Sequence, residues 1–75
     1  MTDRLPRATA GEIIRVLEKI GFSLARQSGS HKIYKNKAGR RVTVPYHAGV
    51  VLHPKLLKSI LSDADISPEE LKNLL

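Results

Sequence analysis

The chain of 75 residues reads as a single α+β domain in which a helix, three antiparallel strands, a second helix and a short third helix follow one another. Three observations carry that order. Thr9-Ala10-Gly11-Glu12 and Ser67-Pro68-Glu69-Glu70 both have the Ser/Thr-x-x-Glu form of a capping box, so a helix begins at each. Between them, glycine-centred turns at Ser28-Gly29-Ser30 and Ala38-Gly39-Arg40 divide residues 22–45 into three runs of strand length. From Pro54 onward the apolar residues return to helical spacing.

Ile13, Ile14, Leu17 and Ile20 give the first helix one apolar face, with Glu12, Arg15, Glu18 and Lys19 largely on the other, and Gly21 supplies a left-handed stop. Residues 22–27 show a loose alternation of large and small side chains and form the first strand; residues 31–37 form the second and residues 41–45 the third. In the third strand Val42 and Val44 point one way and Arg41 and Thr43 the other, as in an antiparallel sheet buried on one face. The second strand offers two parities. If Ile33 faces inward it takes His31 and Lys35 with it; if Tyr34 does, those three lie on the open face. Burying His31 and Lys35 without partners would be costly, so Tyr34 is expected inward. Pro45 ends the sheet, Tyr46-His47-Ala48-Gly49 is a loop, and Leu56, Leu57, Ile60, Leu61 and Ala64 form the apolar stripe of the second helix. Leu71, Leu74 and Leu75 mark the short last helix, giving a sheet packed on helices.

A chain of this size buries only about 60% of its unfolded surface, so its core must be economical. With one Phe, two Tyr and no Trp, that core is built from Ile, Leu and Val. The absence of cysteine removes a disulfide framework, a thiolate metal site and a cysteine nucleophile. No apolar run is long enough for a membrane span or a signal-peptide core, which makes a cytoplasmic domain without membrane contact the expectation, with residues 1–8 flexible. The formal charge of +6 is unevenly placed: no acidic residue occurs between Glu18 and Asp63. Lys19, Arg26, Lys32, Lys35, Lys37, Arg40, Arg41, Lys55 and Lys58 all fall in that interval, as do all three histidines. Such a window is the electrostatic footprint of a protein that meets phosphate backbones, although charge alone does not separate RNA from DNA or from an acidic protein.

Within the window, Gly29-Ser30-His31-Lys32-Ile33-Tyr34-Lys35 concentrates the chemistry. A glycine turn sets His31 at the mouth of a strand among lysines, and imidazole, with an ordinary pKa of about 6.5, gives and takes protons near neutrality. By itself the heptapeptide reads better as a hairpin whose histidine only faces water. His47 in its loop reads as a structural residue bonded to nearby carbonyls, and His53 as a helix cap or surface residue. The spacing of the three histidines, with no acids nearby, matches no metal-ligand pattern, so neither a metal nor another cofactor is expected. Tyr34 and Tyr46 are the residues able to stack on bases, Tyr34 reading better as core.

Gly21-Phe22, Gly29-Ser30-His31 with Tyr34, Val44-Pro45-x-His47-x-Gly49, a proline-started helix and a capped acidic tail together resemble the HicA family of toxins, also called YcfA-like proteins. The resemblance runs from Glu12 to Leu71. It implies a fold like the double-stranded RNA-binding domain, mRNA interferase activity, and a HicB-type antitoxin partner encoded nearby. It also implies that His31, in the Gly-Ser-His element, is the catalytic histidine. Relatives commonly open the second helix with a Lys-Pro-Gly-Thr-Leu-like sequence, where this chain has His53-Pro54-Lys55-Leu56-Leu57. Lys55 would then meet a phosphate as a point charge instead of a hydroxyl and open backbone amides.

A metal-free ribonuclease needs a base for the 2′-hydroxyl, an acid for the leaving 5′-oxygen and cations for the phosphate, since the substrate brings its own nucleophile. On that expectation His31 is the general acid or base, Lys32, Lys35, Arg41 and Lys55 contact phosphate, Ser30 orients the imidazole or a phosphate oxygen, and His47 is a candidate second site residue. The competing readings are a non-catalytic double-stranded RNA-binding module and a domain that binds an acidic protein.

Overall fold

The computed structural model describes residues 5–75 and has six elements in the expected order: α1 (Ala10–Lys19), β1 (Ser23–Ser28), β2 (His31–Lys35), β3 (Arg41–Pro45), α2 (Pro54–Ala64) and α3 (Pro68–Leu74). The strands form one antiparallel sheet in the order β1-β2-β3. Helices α1 and α2 pack against β3 on one side, leaving the other side of the sheet open. This is an α+β architecture of the double-stranded RNA-binding-domain type.

Local chemistry fixes each helix. Thr9 Oγ1 accepts from the Glu12 amide at 3.2 Å while Glu12 Oε1 accepts from the Thr9 amide at 2.9 Å, closing the capping box of α1. At the other end the Gly21 amide donates to Glu18 and the Phe22 amide to Leu17, with Gly21 at φ +102°. That Schellman arrangement takes up two carbonyls at the helix end and drives the Phe22 ring into the core. Phe22 therefore belongs to the end of α1, and the first strand starts at Ser23 rather than at residue 22. Helix α2 is capped by His53, whose Nδ1 accepts from the Lys55 amide at 3.1 Å, and α3 by the expected box between Ser67 and Glu70.

Tyr34 faces inward, 3% exposed, beside Val42 and Val44 of β3. Ile13, Val16 and Leu17 of α1, Leu57, Ile60 and Leu61 of α2, and Leu71 of α3 complete the core. The second strand ends at Lys35, two residues earlier than expected. Asn36 explains the difference: its backbone pairs with Arg40 and Gly39, and its side-chain Oδ1 accepts from the Arg40 amide at 2.9 Å, so it closes the turn instead of continuing the ladder. The loose alternation read in the first strand does not correspond to burial, because all six residues of β1 are exposed.

Of the segment expected to be flexible, residues 1–4 lie outside the described residues. Within the remainder, Ala8 is buried and its carbonyl accepts from the Leu52 amide at 2.8 Å, and Leu5 packs on the core. No helix among the described residues is long and apolar enough to cross a membrane.

Candidate nucleic-acid interface

Ser28 and His31 are cross-strand partners, so Gly29 and Ser30 alone connect β1 to β2. Gly29 has φ +59°, and Ser30 does not share the positive φ. A positive φ at the first of two loop residues is the type II′ hairpin turn, which calls for glycine there. The Gln27 side-chain amide donates to the Gly29 carbonyl at 3.1 Å and steadies the turn. This geometry delivers His31 as the first residue of the central strand, exposed and hydrogen-bonded to no described side chain.

Pairing within the sheet decides which side chains accompany it. Along β2, His31, Ile33 and Lys35 share the open face, while Lys32 and Tyr34 point the other way. Opposite Lys35 on β3 lies Arg41, and opposite Ile33 lies Thr43. Counting back along β1 from Ser28, the hairpin register pairs Arg26 with Ile33 and sets it on the open face; an irregularity follows between Arg26 and Leu24. Arg26, Ile33, Lys35 and Arg41, with Ala25, line one shallow hollow.

The structure thus brings together His31, Lys35 and Arg41 of the residues singled out from sequence, and adds Arg26. Lys32 lies apart from them: its ammonium sits 4.3 Å from the centre of the Tyr46 ring on the other side of the sheet, a cation–π contact. Lys55 is exposed in the first turn of α2, in the helix layer behind the sheet. Ser30 stands beside His31, half-buried. Its carbonyl accepts from the Tyr46 amide at 2.7 Å, and its hydroxyl makes no bond to the imidazole. That backbone bond extends the β2–β3 pairing one step past Pro45 and holds the loop containing His47 next to the Ser28-Gly29-Ser30 turn. His47 closes its own turn by accepting from the Val50 amide at 3.2 Å, and Gly49 in that turn has φ +75°. The imidazole of His47 is exposed and makes none of the expected bonds to carbonyls among the described residues. His53 serves as a cap, through the nitrogen named above.

Sequence reasoning missed Arg26 as a site residue. It stood in the acid-free window, but a three-residue turn at 28–30 would set it opposite Lys32, whereas the two-residue turn observed sets it opposite Ile33. The other base-stacking candidate besides Tyr34, Tyr46, has Lys32 over its ring. Among the described residues no three His, Asp or Glu side chains gather in a manner able to hold a metal ion.

A three-stranded sheet backed by helices, with an exposed imidazole and cations on its bare side, defines a small basic domain of the double-stranded RNA-binding-domain type. Residues 10–66 match the family described as HicA toxin of bacterial toxin-antitoxin, and the chain belongs to that family. None of the curated proteins matches the chain.

Proposed function

We propose that this toxin-family protein is a metal-independent endoribonuclease that cleaves mRNA, with His31 in proton transfer. The supporting observation is the exposed imidazole at the start of β2, on the same face as Lys35 and Arg41. In the proposed reaction the RNA 2′-hydroxyl loses its proton and its oxygen attacks the adjacent phosphorus. The bond from phosphorus to the 5′-oxygen breaks, and that oxygen takes up a proton. The products are a 2′,3′-cyclic phosphate and a free 5′-hydroxyl. His31 supplies one of the two proton transfers, each worth about 10²–10⁴-fold in rate. Water or His47 supplies the other. Lys35 and Arg41 bind the RNA backbone through its phosphates, and Ser30 orients an oxygen of the reacting phosphate. Lys32 and Lys55 contribute to RNA binding from the other side of the sheet, as long-range charge. The partner is a HicB-type antitoxin, and a cytoplasmic location follows from an mRNA substrate.

Incubating purified protein with long RNA in EDTA tests this reading. Cleavage by the wild type that drops at least about 10²-fold in His31→Ala, with unchanged melting, supports it. Equal cleavage by the two proteins refutes the role of His31. One observation favours a second reading, a passive double-stranded RNA-binding module: Lys55 and Lys58 are exposed on the first turns of α2, where such a module meets phosphates. Salt-sensitive binding to duplex RNA without any cleavage would select it.

A further inference from the structure

The hollow on the open face, about 210 Å³, gathers Arg26, Lys35 and Arg41 around the half-buried side chain of Ile33. Lys35 and Arg41 are direct cross-strand partners, so their Cβ atoms stand about 5 Å apart, and like charges placed that way destabilise a sheet. Arg26 reaches the same hollow from β1, where the hairpin register counted back from Ser28 sets it opposite Ile33. Among the described residues none of the three has a carboxylate partner; the ion pair present joins Arg40 to Asp65. Three cations assembled against their mutual repulsion, with no counter-ion among the described residues, make a site that an external anion completes.

His31 lies on the same face, four residues along β2 from Lys35, which at about 3.3 Å per residue is about 13 Å. That exceeds the spacing of neighbouring phosphates on one strand, so the phosphate in the hollow is not the one beside His31. We propose that Arg26, Lys35 and Arg41 form a phosphate-anchoring subsite that grips the RNA backbone at least one nucleotide away from the bond at His31. This rests on the ribonuclease reading. The face favours a backbone over a protein partner because it presents no aromatic anchor of the kind protein interfaces centre on: Phe22 and Tyr34 are buried, and Tyr46 lies against Lys32. For the same reason the subsite reads phosphate and not base, and tolerates any sequence.

The test measures binding of a decaribonucleotide across a salt series in a His31→Ala background, which prevents cleavage by the proposed route. The triple variant Arg26→Ala/Lys35→Ala/Arg41→Ala should flatten the plot of log affinity against log salt by about 2, from three cations at about 0.7 each. A control with the same net charge, Arg7→Ala/Arg15→Ala/Lys72→Ala, should keep the wild-type slope. Equal slopes for the two triples would mean that net charge alone governs binding and would overturn the subsite. Should the hollow triple melt early, Arg26→Ala alone reads the same site through a slope change of about 0.7. With His31 intact, the hollow triple should slow cleavage of the decamer far more than that of a dinucleoside monophosphate, which has no second phosphate to anchor; equal slowing of the two would overturn the subsite. If the wild type cleaves neither RNA while the binding slopes still differ, the nuclease reading falls and the subsite stands. Displacement of the decamer by polyglutamate at equal charge concentration, lost in the hollow triple, would assign the hollow to an acidic protein and overturn the RNA proposal.

Discussion

Replacing Gly29 by alanine isolates the contribution of one backbone angle to the whole site. A Cβ built on Gly29 meets nothing within 4 Å, so the substitution creates no clash and removes no packing. What remains is the strain of an L-residue at φ +59° in the first position of a II′ turn, about 1–3 kcal/mol. A chain of 75 residues is stable by about 4–11 kcal/mol in all, so this is a sizeable share. With about 2.1 cal/mol/K of unfolding entropy per residue, each kcal/mol lowers the melting temperature by about 6 °C. Urea unfolding should show a lower midpoint with an unchanged m-value, because the surface exposed on unfolding is the same. Chemical synthesis permits a sharper comparison: D-alanine at position 29 prefers positive φ and should restore the midpoint to that of the wild type or above it. If L-alanine is as stable as glycine, or if the D-residue is as harmful as the L-residue, the argument from the turn is wrong.

Thr9→Ala removes the side-chain acceptor for the Glu12 amide and should cost about 1 kcal/mol in urea unfolding, with Thr9→Ser costing far less. Burial, reinforced by the Glu18 carboxylate, raises the pKa of the Tyr34 phenol above its ordinary value. The folded value therefore exceeds the unfolded one: stability is full below the unfolded pKa of about 10 and falls as pH rises through it toward the raised folded value. Tyr34→Phe should lose less stability than the wild type over that alkaline interval, read from urea midpoints at successive pH values. Parallel declines in the two proteins would show that Tyr34 is not the group responsible.

Much of this fold is legible because its signals are local. Thr9 with Glu12 and Ser67 with Glu70 state where helices begin within four residues, and both boxes form. The inward turn of Tyr34 was readable through a global cost, since the alternative parity would have buried His31 and Lys35. What escaped reading depends on competition between elements. Phe22 has a strand-like neighbourhood, yet its amide completes the end of α1; Asn36 looks like a strand residue, yet its side chain closes a turn. The candidate site was harder to read, because the length of the β1–β2 turn decides the face of Arg26: with Gly29 and Ser30 alone between the strands it falls opposite Ile33. Lys32 and Lys35 look equivalent in the sequence, and the period of two separates them to opposite sides of the sheet.

The bare exposure of all six residues of β1 has a dynamic consequence. No helix layer clamps that strand, and the bonds that retain it run to β2, so its opening free energy is smaller than that of the whole domain. Amide protons of β1 bonded to β2 should exchange with deuterium well before those linking β2 to β3, a hierarchy that uniform exchange across the sheet would contradict. In such an excursion Arg26 swings away while Lys35, Arg41 and His31 keep their places on β2 and β3. On the proposed reading that edge strand is a latch, its release loosening the hold on RNA without unfolding the body that carries the imidazole.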